Sequence, residues 1–145
     1  MNELWNPFLV TAALLSATAS LAHMACIVFG ASWYRFFGAG EHMARMAAAG
    51  RLAPVLITSF IALVLAGWSL YAFAAAGAAL TLPLMRWVLI AITAIYLVRG
   101  LAFLPLAMFH IDLGRSMAFW YWSSAICLFI GVLHLAGLMQ VWQRL

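Results

Sequence analysis

LMRWVLIAITAIYLVRGLAFLPLAMF, residues 84–109, is a run of mostly apolar residues long enough to cross a lipid bilayer. It carries Arg99 near its middle, where an arginine costs about 3 kcal/mol on insertion scales. An arginine at that depth almost always faces the protein interior or a water-filled cavity. The stretch therefore predicts a transmembrane helix with a charged group turned toward other helices.

The composition extends this prediction to the whole chain. Charged residues make up 7% and apolar residues 69% of the 145, whereas a soluble domain has about 25% charged residues. A soluble fold of this size has too little interior to hide so much apolar surface. We therefore expect an integral, multi-pass membrane protein that has the lipid bilayer as a partner. The net charge of +4 is scattered singly along the chain, which does not indicate a surface for nucleic acid.

Three further apolar runs accompany the first. They cover about residues 7–30, 54–77 and 117–142. The polar connection after the first run contains residues 41–49, which can form a short interfacial helix with Glu41 paired to Arg45 one turn later. The predicted fold class is all-α: four transmembrane helices in an up-down antiparallel bundle, with this short helix between helices 1 and 2. Residues 1–145 make one domain in this prediction.

The connections and the composition of the helices lead to three further expectations. Because residues 78–83 form a short link, helices 2 and 3 should be antiparallel neighbours. Pro105 lacks the N–H that would bond to Leu101, so helix 3 should kink there. Helix 2 ends in a Gly/Ala-rich stretch that permits close approach of another helix, so a homo-oligomer could form through it.

The arginines set the expected orientation. Arg35, Arg45, Arg51 and Arg115 flank one side of the spans, and Arg86 and Arg144 flank the other. By the positive-inside rule, the connections after helices 1 and 3 then face the cytoplasm and both termini face outside. The expected location is a bacterial inner membrane.

Polar groups in and beside the spans supply the candidate ligand-binding residues. These are Arg99, His23, His134, Tyr96, Glu41 and Ser124. Arg99 is either a structural residue bonded to groups such as Tyr96 and Ser124 or an anion-binding or proton-linked residue of a central cavity. Glu41 is the acid that could neutralise Arg99 if the interfacial helix dips into the bundle. Otherwise it is a solvated residue of a first helical turn.

Two histidines on facing helices raise the question of haem. His23 lies roughly 6 Å to one side of the middle of helix 1, and His134 about 4 Å to the other side in helix 4. Axial ligands of one iron should have a similar depth, so this offset of about 10 Å argues against haem, and no cofactor is expected. No third ligand accompanies either histidine, so no metal site is predicted. Hydrogen bonding across the bundle, a proton relay and ligand contact all stay open as roles for them.

The polar groups support three functional hypotheses. In the first, Arg99, His23, His134 and Tyr96 line a midplane cavity that binds or transports a small anionic or amphipathic ligand, or conducts protons. The second is a membrane enzyme acting on a lipid-like substrate, with a histidine as acid or base and Arg99 as electrostatic stabiliser. The third is a structural or accessory subunit of a membrane complex. The sequence has no paired carboxylates and no nucleophile–base pair, so it leaves enzymatic activity undecided.

Overall fold

The computed structural model describes residues 5–109 and 117–145, and its regular elements there are all helices. In chain order they are α1 (Pro7–Phe29), α2 (Ala31–Phe36), α3 (Glu41–Ala48), α4 (Leu52–Ala75), α5 (Met85–Leu101), α6 (Phe103–Met108) and α7 (Met117–Val141), followed by a 3-10 turn at Trp142–Arg144. Arg115, one of the arginines used above for orientation, lies outside the described residues.

Four helical stretches are long and apolar enough to cross a membrane. They are Pro7–Phe29, Leu52–Ala75, Met85–Pro105 and Met117–Arg144. Only 22–39% of each stretch is buried inside the chain, and large side chains such as Leu21, Val28 and Leu63 point outward. An apolar surface of this extent is typical of contact with lipid. The prediction of an all-helical chain with four candidate spans is confirmed.

Hydrogen bonds between α1 and α4 show that these two helices run in opposite directions. Ser20 Oγ donates to the carbonyl oxygen of Ala62 at 2.7 Å, and Ser69 Oγ donates to that of Ala13 at 2.8 Å. The paired residue numbers therefore rise along one helix and fall along the other. Each such serine bond inside a membrane protein contributes about 0.6 kcal/mol.

Two glycines allow α5 and α7 to approach closely. A Cβ on Gly100 would lie 2.6 Å from Cα of Leu128, and a Cβ on Gly131 would lie 2.9 Å from Cδ2 of Leu97. These pairs also run in opposite directions along the two helices. Small residues at the contact are what membrane helices use to bring their backbones together.

Asn6 joins the two helix pairs. Its side-chain oxygen accepts from the Leu9 N–H at 3.0 Å and caps α1, while its amide nitrogen donates to Gln140 Oε1 at 2.8 Å near the end of α7. Its backbone N–H donates to the carbonyl oxygen of Ala76, directly after α4, at 2.8 Å. The side chain is buried, so the start of α1 lies beside the ends of α4 and α7.

Helices 2 and 3, expected to be antiparallel neighbours, run in opposite directions and touch, but neither packs mainly on the other. α4 contacts mainly α1, α5 contacts mainly α7, and the contact between α4 and α5 is slight. A short link limits the distance between two helix ends, but it does not decide which faces pack. The alanines at the end of α4, including Ala72, Ala74 and Ala75, are buried within the chain, so this small-residue face is already covered.

The expected interruption of helix 3 is confirmed. α5 ends at Leu101 and α6 begins at Phe103, two residues before Pro105. The missing N–H of Pro105 and the clash of its ring with the preceding turn account for the break.

α2 was not expected as a helix. It follows Gly30, whose φ of 71° reverses the chain direction after α1.

Candidate functional site

Arg99 is bound at the beginning of α7. Its Nη1 donates to Ser124 Oγ at 3.1 Å and its Nη2 donates to Ser123 Oγ at 2.9 Å. Its guanidinium carbon lies 4.9 Å from the centre of the Trp120 ring. All three partners belong to the first two turns of α7, within about 12 Å of its first residue. The guanidinium therefore lies toward one end of the spans and not at their middle.

Hydrogen-bond donors converge at this place, which we call the Arg99 cluster (Arg99, Trp120, Ser123 and Ser124). A guanidinium has five N–H donors, and two hydroxyl oxygens accept from it here. Nε1 of Trp120, which can only donate, is buried and has no hydrogen-bond partner within the described ranges. Positive charge and an unused donor make this a place where an anionic oxygen would be stabilised.

Glu41 does not supply a counter-charge to Arg99. It accepts two hydrogen bonds from Arg35, at 2.9 Å from Nε and 3.0 Å from Nη2, and both side chains are more than half exposed. The expected pair with Arg45 is therefore wrong. Of the two roles considered for Glu41, a counter-charge for Arg99 or a solvated residue of a first helical turn, the structure shows the second. Gly38 and Gly40 turn the chain between α2 and α3, which brings Arg35 against the first turn of α3. The hydrogen bonds from Arg35 hold the pKa of the Glu41 carboxyl below its usual value.

Tyr96 contacts a residue from each of the other three long helices. Its hydroxyl oxygen lies 2.9 Å from Ser16 Oγ of α1. Its ring meets Trp68 of α4 edge to face, with centroids 5.1 Å apart, and stacks on His134 of α7 at 5.3 Å. We call Ser16, Trp68, Tyr96 and His134 the Tyr96 cluster. It is the polar centre of the helix packing.

His134 has one nitrogen that is satisfied and one that is not. Its Nδ1 lies 3.0 Å from the carbonyl oxygen of Ile130, and because a carbonyl can only accept, Nδ1 carries the proton. Nε2 is then an acceptor, and it is buried without a partner among residues 5–109 and 117–145. A buried acceptor left without a bond costs about 1–3 kcal/mol. The side chain is completely buried.

His23 lies at a different depth from His134. Its Nδ1 is 2.8 Å from the carbonyl oxygen of Ala19 in its own helix. Ser16 is level with Tyr96 and His134, and His23 follows Ser16 by seven residues, or about 10 Å along α1. Arg99, His23 and His134 thus have three separate sets of partners. No group of three His, Cys, Asp or Glu side chains that could hold a metal ion occurs in the described parts of the chain.

Tyr96 and Ser124 were named as partners of a structural Arg99; Ser124 bonds to it, whereas Tyr96 bonds to Ser16. Ser123, Trp120 and Trp68 were not among the candidate site residues. Ser123 and Ser124 are adjacent, so the two arms of one guanidinium reach both hydroxyls. Trp120 precedes Ser124 by four residues and therefore lies on the same face of α7. That spacing is a signal from which the aromatic partner could have been predicted.

Comparison of the chain with protein-family models, with curated proteins and with solved structures found no match. No family relationship therefore suggests a substrate, cofactor or partner. Function is inferred from the Arg99 and Tyr96 clusters.

Proposed function

We propose that this chain is a small multi-pass membrane protein that binds the anionic group of a small amphipathic ligand at the Arg99 cluster. The observation that carries the proposal is that, within residues 5–109 and 117–145, the buried indole N–H of Trp120 has no hydrogen-bond partner and the guanidinium beside it bonds to two neutral hydroxyls. A carboxylate or phosphate would accept hydrogen bonds from both donors. Such charge-assisted bonds are about twice as strong as neutral ones.

The contacts between helices support a single domain with the topology of an up-down antiparallel bundle. α1 runs opposite to α4 and to α7, and α5 runs opposite to α7. In a bacterial inner membrane, the arginines around α2 and α3 favour a cytoplasmic location for that connection, with both termini outside. The Arg99 cluster then lies toward the cytoplasmic surface.

This depth suits an amphipathic ligand. The anionic group would sit at the first turns of α7, close to the headgroups, and an apolar tail would extend along lipid-facing side chains such as Tyr121, Trp122 and Ile126. Arg99 is partly buried, so water screens its attraction for an anion less than at a fully exposed site. Transport of the ligand would need a path that one protomer of four spans does not readily supply, and a homo-oligomer could provide it.

The chain offers a matched pair of arginines for a binding experiment. Arg86 also lies over a tryptophan ring, 4.8 Å from the centre of Trp142, at the opposite end of the spans, and its Nε is likewise buried without a partner in the described ranges, so the experiment decides between the two arginines. The purified protein in a neutral detergent is titrated with decyl phosphate, and with decanol to measure nonspecific partition. Arg99→Leu should weaken binding of decyl phosphate at least tenfold, because a hydrogen bond to a charged group contributes about 1.5–3 kcal/mol. Arg86→Leu should leave it unchanged.

Trp120→Phe tests the contribution of the indole N–H to binding apart from that of the aromatic ring. It removes the N–H and keeps a ring against the guanidinium, so binding of decyl phosphate should weaken at least tenfold. Unchanged affinity in a folded Arg99→Leu protein would refute the proposal. Circular dichroism of each variant establishes that the helices are retained.

One observation favours a second candidate, a proton-linked function at the Tyr96 cluster. Nε2 of His134 is a buried acceptor without a partner in the described part of the chain, and an imidazole nitrogen with a free lone pair can accept a proton. Proton uptake by vesicles containing the protein, compared with uptake by vesicles containing the His134→Phe variant, tests this candidate.

A membrane enzyme that uses His134 and Arg99 together has less support, because ten residues of α7, or about 15 Å, separate His134 from Ser124.

A further inference from the structure

The segment between the first two spans is fixed to the rest of the molecule at two places. We call residues 31–51 the α2–α3 arm. Tyr34 is buried, and its hydroxyl donates to the Pro54 carbonyl oxygen at 3.2 Å and lies 3.0 Å from Thr58 Oγ1. At Gly38, where φ is 70°, a Cβ would overlap the ring of Phe119 in α7. The arm is therefore a supported surface that spans from α4 to α7.

The arm has a positive charge that the described residues do not neutralise. It contains three arginines and one glutamate, which gives 3 − 1 = +2. Arg35 is bonded to Glu41 through two hydrogen bonds. Arg45 and Arg51 are exposed and have no ion pair within residues 5–109 and 117–145. Two guanidinium groups thus face outward from a fixed support.

Aromatic side chains place the arm at the boundary between headgroups and acyl chains. Phe36 is 82% exposed, and Phe37 is 41% exposed. The ring of Trp33 stacks on Phe29 at the end of α1, with centroids 4.5 Å apart. Aromatic rings and arginines together are typical of the headgroup level. Exposed phenylalanines need apolar surroundings there, and arginines at the same level meet lipid phosphates.

We infer that the α2–α3 arm is a binding surface for anionic phospholipid headgroups, and that Arg45 and Arg51 provide its charge. Arg35 contributes little to this surface because Glu41 already occupies its guanidinium. The partner is the anionic lipid of the leaflet that surrounds the arm. This inference does not depend on the Arg99 cluster, which lies in α5 and α7.

The test compares two double variants of the full chain. Native mass spectrometry of delipidated protein gives apparent dissociation constants for dioleoylphosphatidylglycerol and dioleoylphosphatidylcholine. Arg45→Gln with Arg51→Gln removes both outward charges, and Arg35→Gln with Glu41→Gln removes one charge of each sign. Each arginine near an anionic surface contributes about fivefold in affinity, so the first variant should lose about 25-fold for the anionic lipid. The second variant should bind as the unaltered chain does.

Three results would overturn the inference. They are equal affinity of the unaltered chain for the two lipids, unchanged affinity in the Arg45/Arg51 variant, and an equal loss in the Arg35/Glu41 variant. Decyl phosphate binding by the Arg45/Arg51 variant is measured in parallel. The part of the decyl phosphate binding that Arg99→Leu abolishes reports on the Arg99 cluster, and the part that the Arg45/Arg51 variant loses reports on the arm, so failure of the arm and failure of the proposed function are distinguishable.

Discussion

Tyr96 Oη lies 2.9 Å from Ser16 Oγ, and both side chains are buried. This hydrogen bond connects α1 to α5, two helices that otherwise have little contact. The ring of Tyr96 also packs against Trp68 and His134. One tyrosine therefore connects the α1–α4 pair to the α5–α7 pair.

Tyr96→Phe removes the bond to Ser16 and keeps both ring contacts. We expect a loss of about 0.6–1 kcal/mol in the free energy of unfolding, which is the usual size for an interhelical bond in a membrane. Ser16→Ala should lower the free energy of unfolding by about the same amount. The double variant should lose no more than either single variant. Unfolding in mixed micelles measures all three, and strictly additive losses would show that the two residues do not interact.

Gly100→Ala should separate α5 from α7. Its new Cβ would lie 2.6 Å from the backbone of Leu128, which cannot move away as a side-chain tip could. We expect destabilisation of about 1–3 kcal/mol. Gly67→Ala in α4 is the matched control, because nothing lies within 4 Å of its Cβ, and Ala favours a helix over Gly by up to about 1 kcal/mol. Equal effects of the two substitutions would contradict the close packing at Gly100.

The ion pair of the α2–α3 arm predicts a dependence on pH. Arg35 lowers the folded-state pKa of Glu41 below the ordinary value of 4.5. The carboxylate therefore stabilises the fold above pH 4.5, and this stabilisation is lost as the pH falls through the lowered pKa. The thermal unfolding temperature of Glu41→Gln should differ slightly from that of the unaltered chain at pH 6. At low pH the two temperatures should be the same. Salt should reduce the difference at pH 6, and a difference that grows toward acid would contradict the pairing.

His134→Phe tests whether Nε2 is truly unpartnered. Phenylalanine keeps a ring against Tyr96 and removes a buried acceptor that has no bond to any described residue, so the free energy of unfolding should be unchanged or raised by about 1 kcal/mol. Chemical unfolding at neutral pH measures the difference in the free energy of unfolding between the variant and the unaltered chain. A loss of more than about 2 kcal/mol would mean that the imidazole forms a bond that these contacts do not include.

Hydropathy predicted the spans because length and apolar content decide membrane insertion almost independently of tertiary contacts. The break near Pro105 was also predictable, because a missing N–H acts locally. The pairing of α4 with α1 could not be predicted, because it depends on serine and alanine faces that the length of a loop does not reveal. For the same reason the partner of Glu41 was predicted wrongly: helical spacing favoured Arg45, but the turn at Gly38 and Gly40 presents Arg35.

The candidate site was partly predictable. The cost of a charge in lipid singled out Arg99, and Ser124 was among its expected partners. A shared cavity with both histidines was one hypothesis, based on the polar character of these residues within apolar spans, and sequence position does not give the direction of each side chain. Arg99 extends to the first turns of α7, and His134 turns to Tyr96 at the centre of the helices.

The most direct test of anion binding at Arg99 is a distance measurement by solid-state NMR between the phosphorus of bound decyl phosphate and ¹⁵N-labelled arginine side chains. A hydrogen-bonded phosphate places phosphorus about 4 Å from the guanidinium nitrogens. We predict strong dephasing in the unaltered protein and in Arg86→Leu, and its loss in Arg99→Leu. Dephasing that persists in Arg99→Leu and disappears in Arg86→Leu would contradict the assignment of the anion site to Arg99.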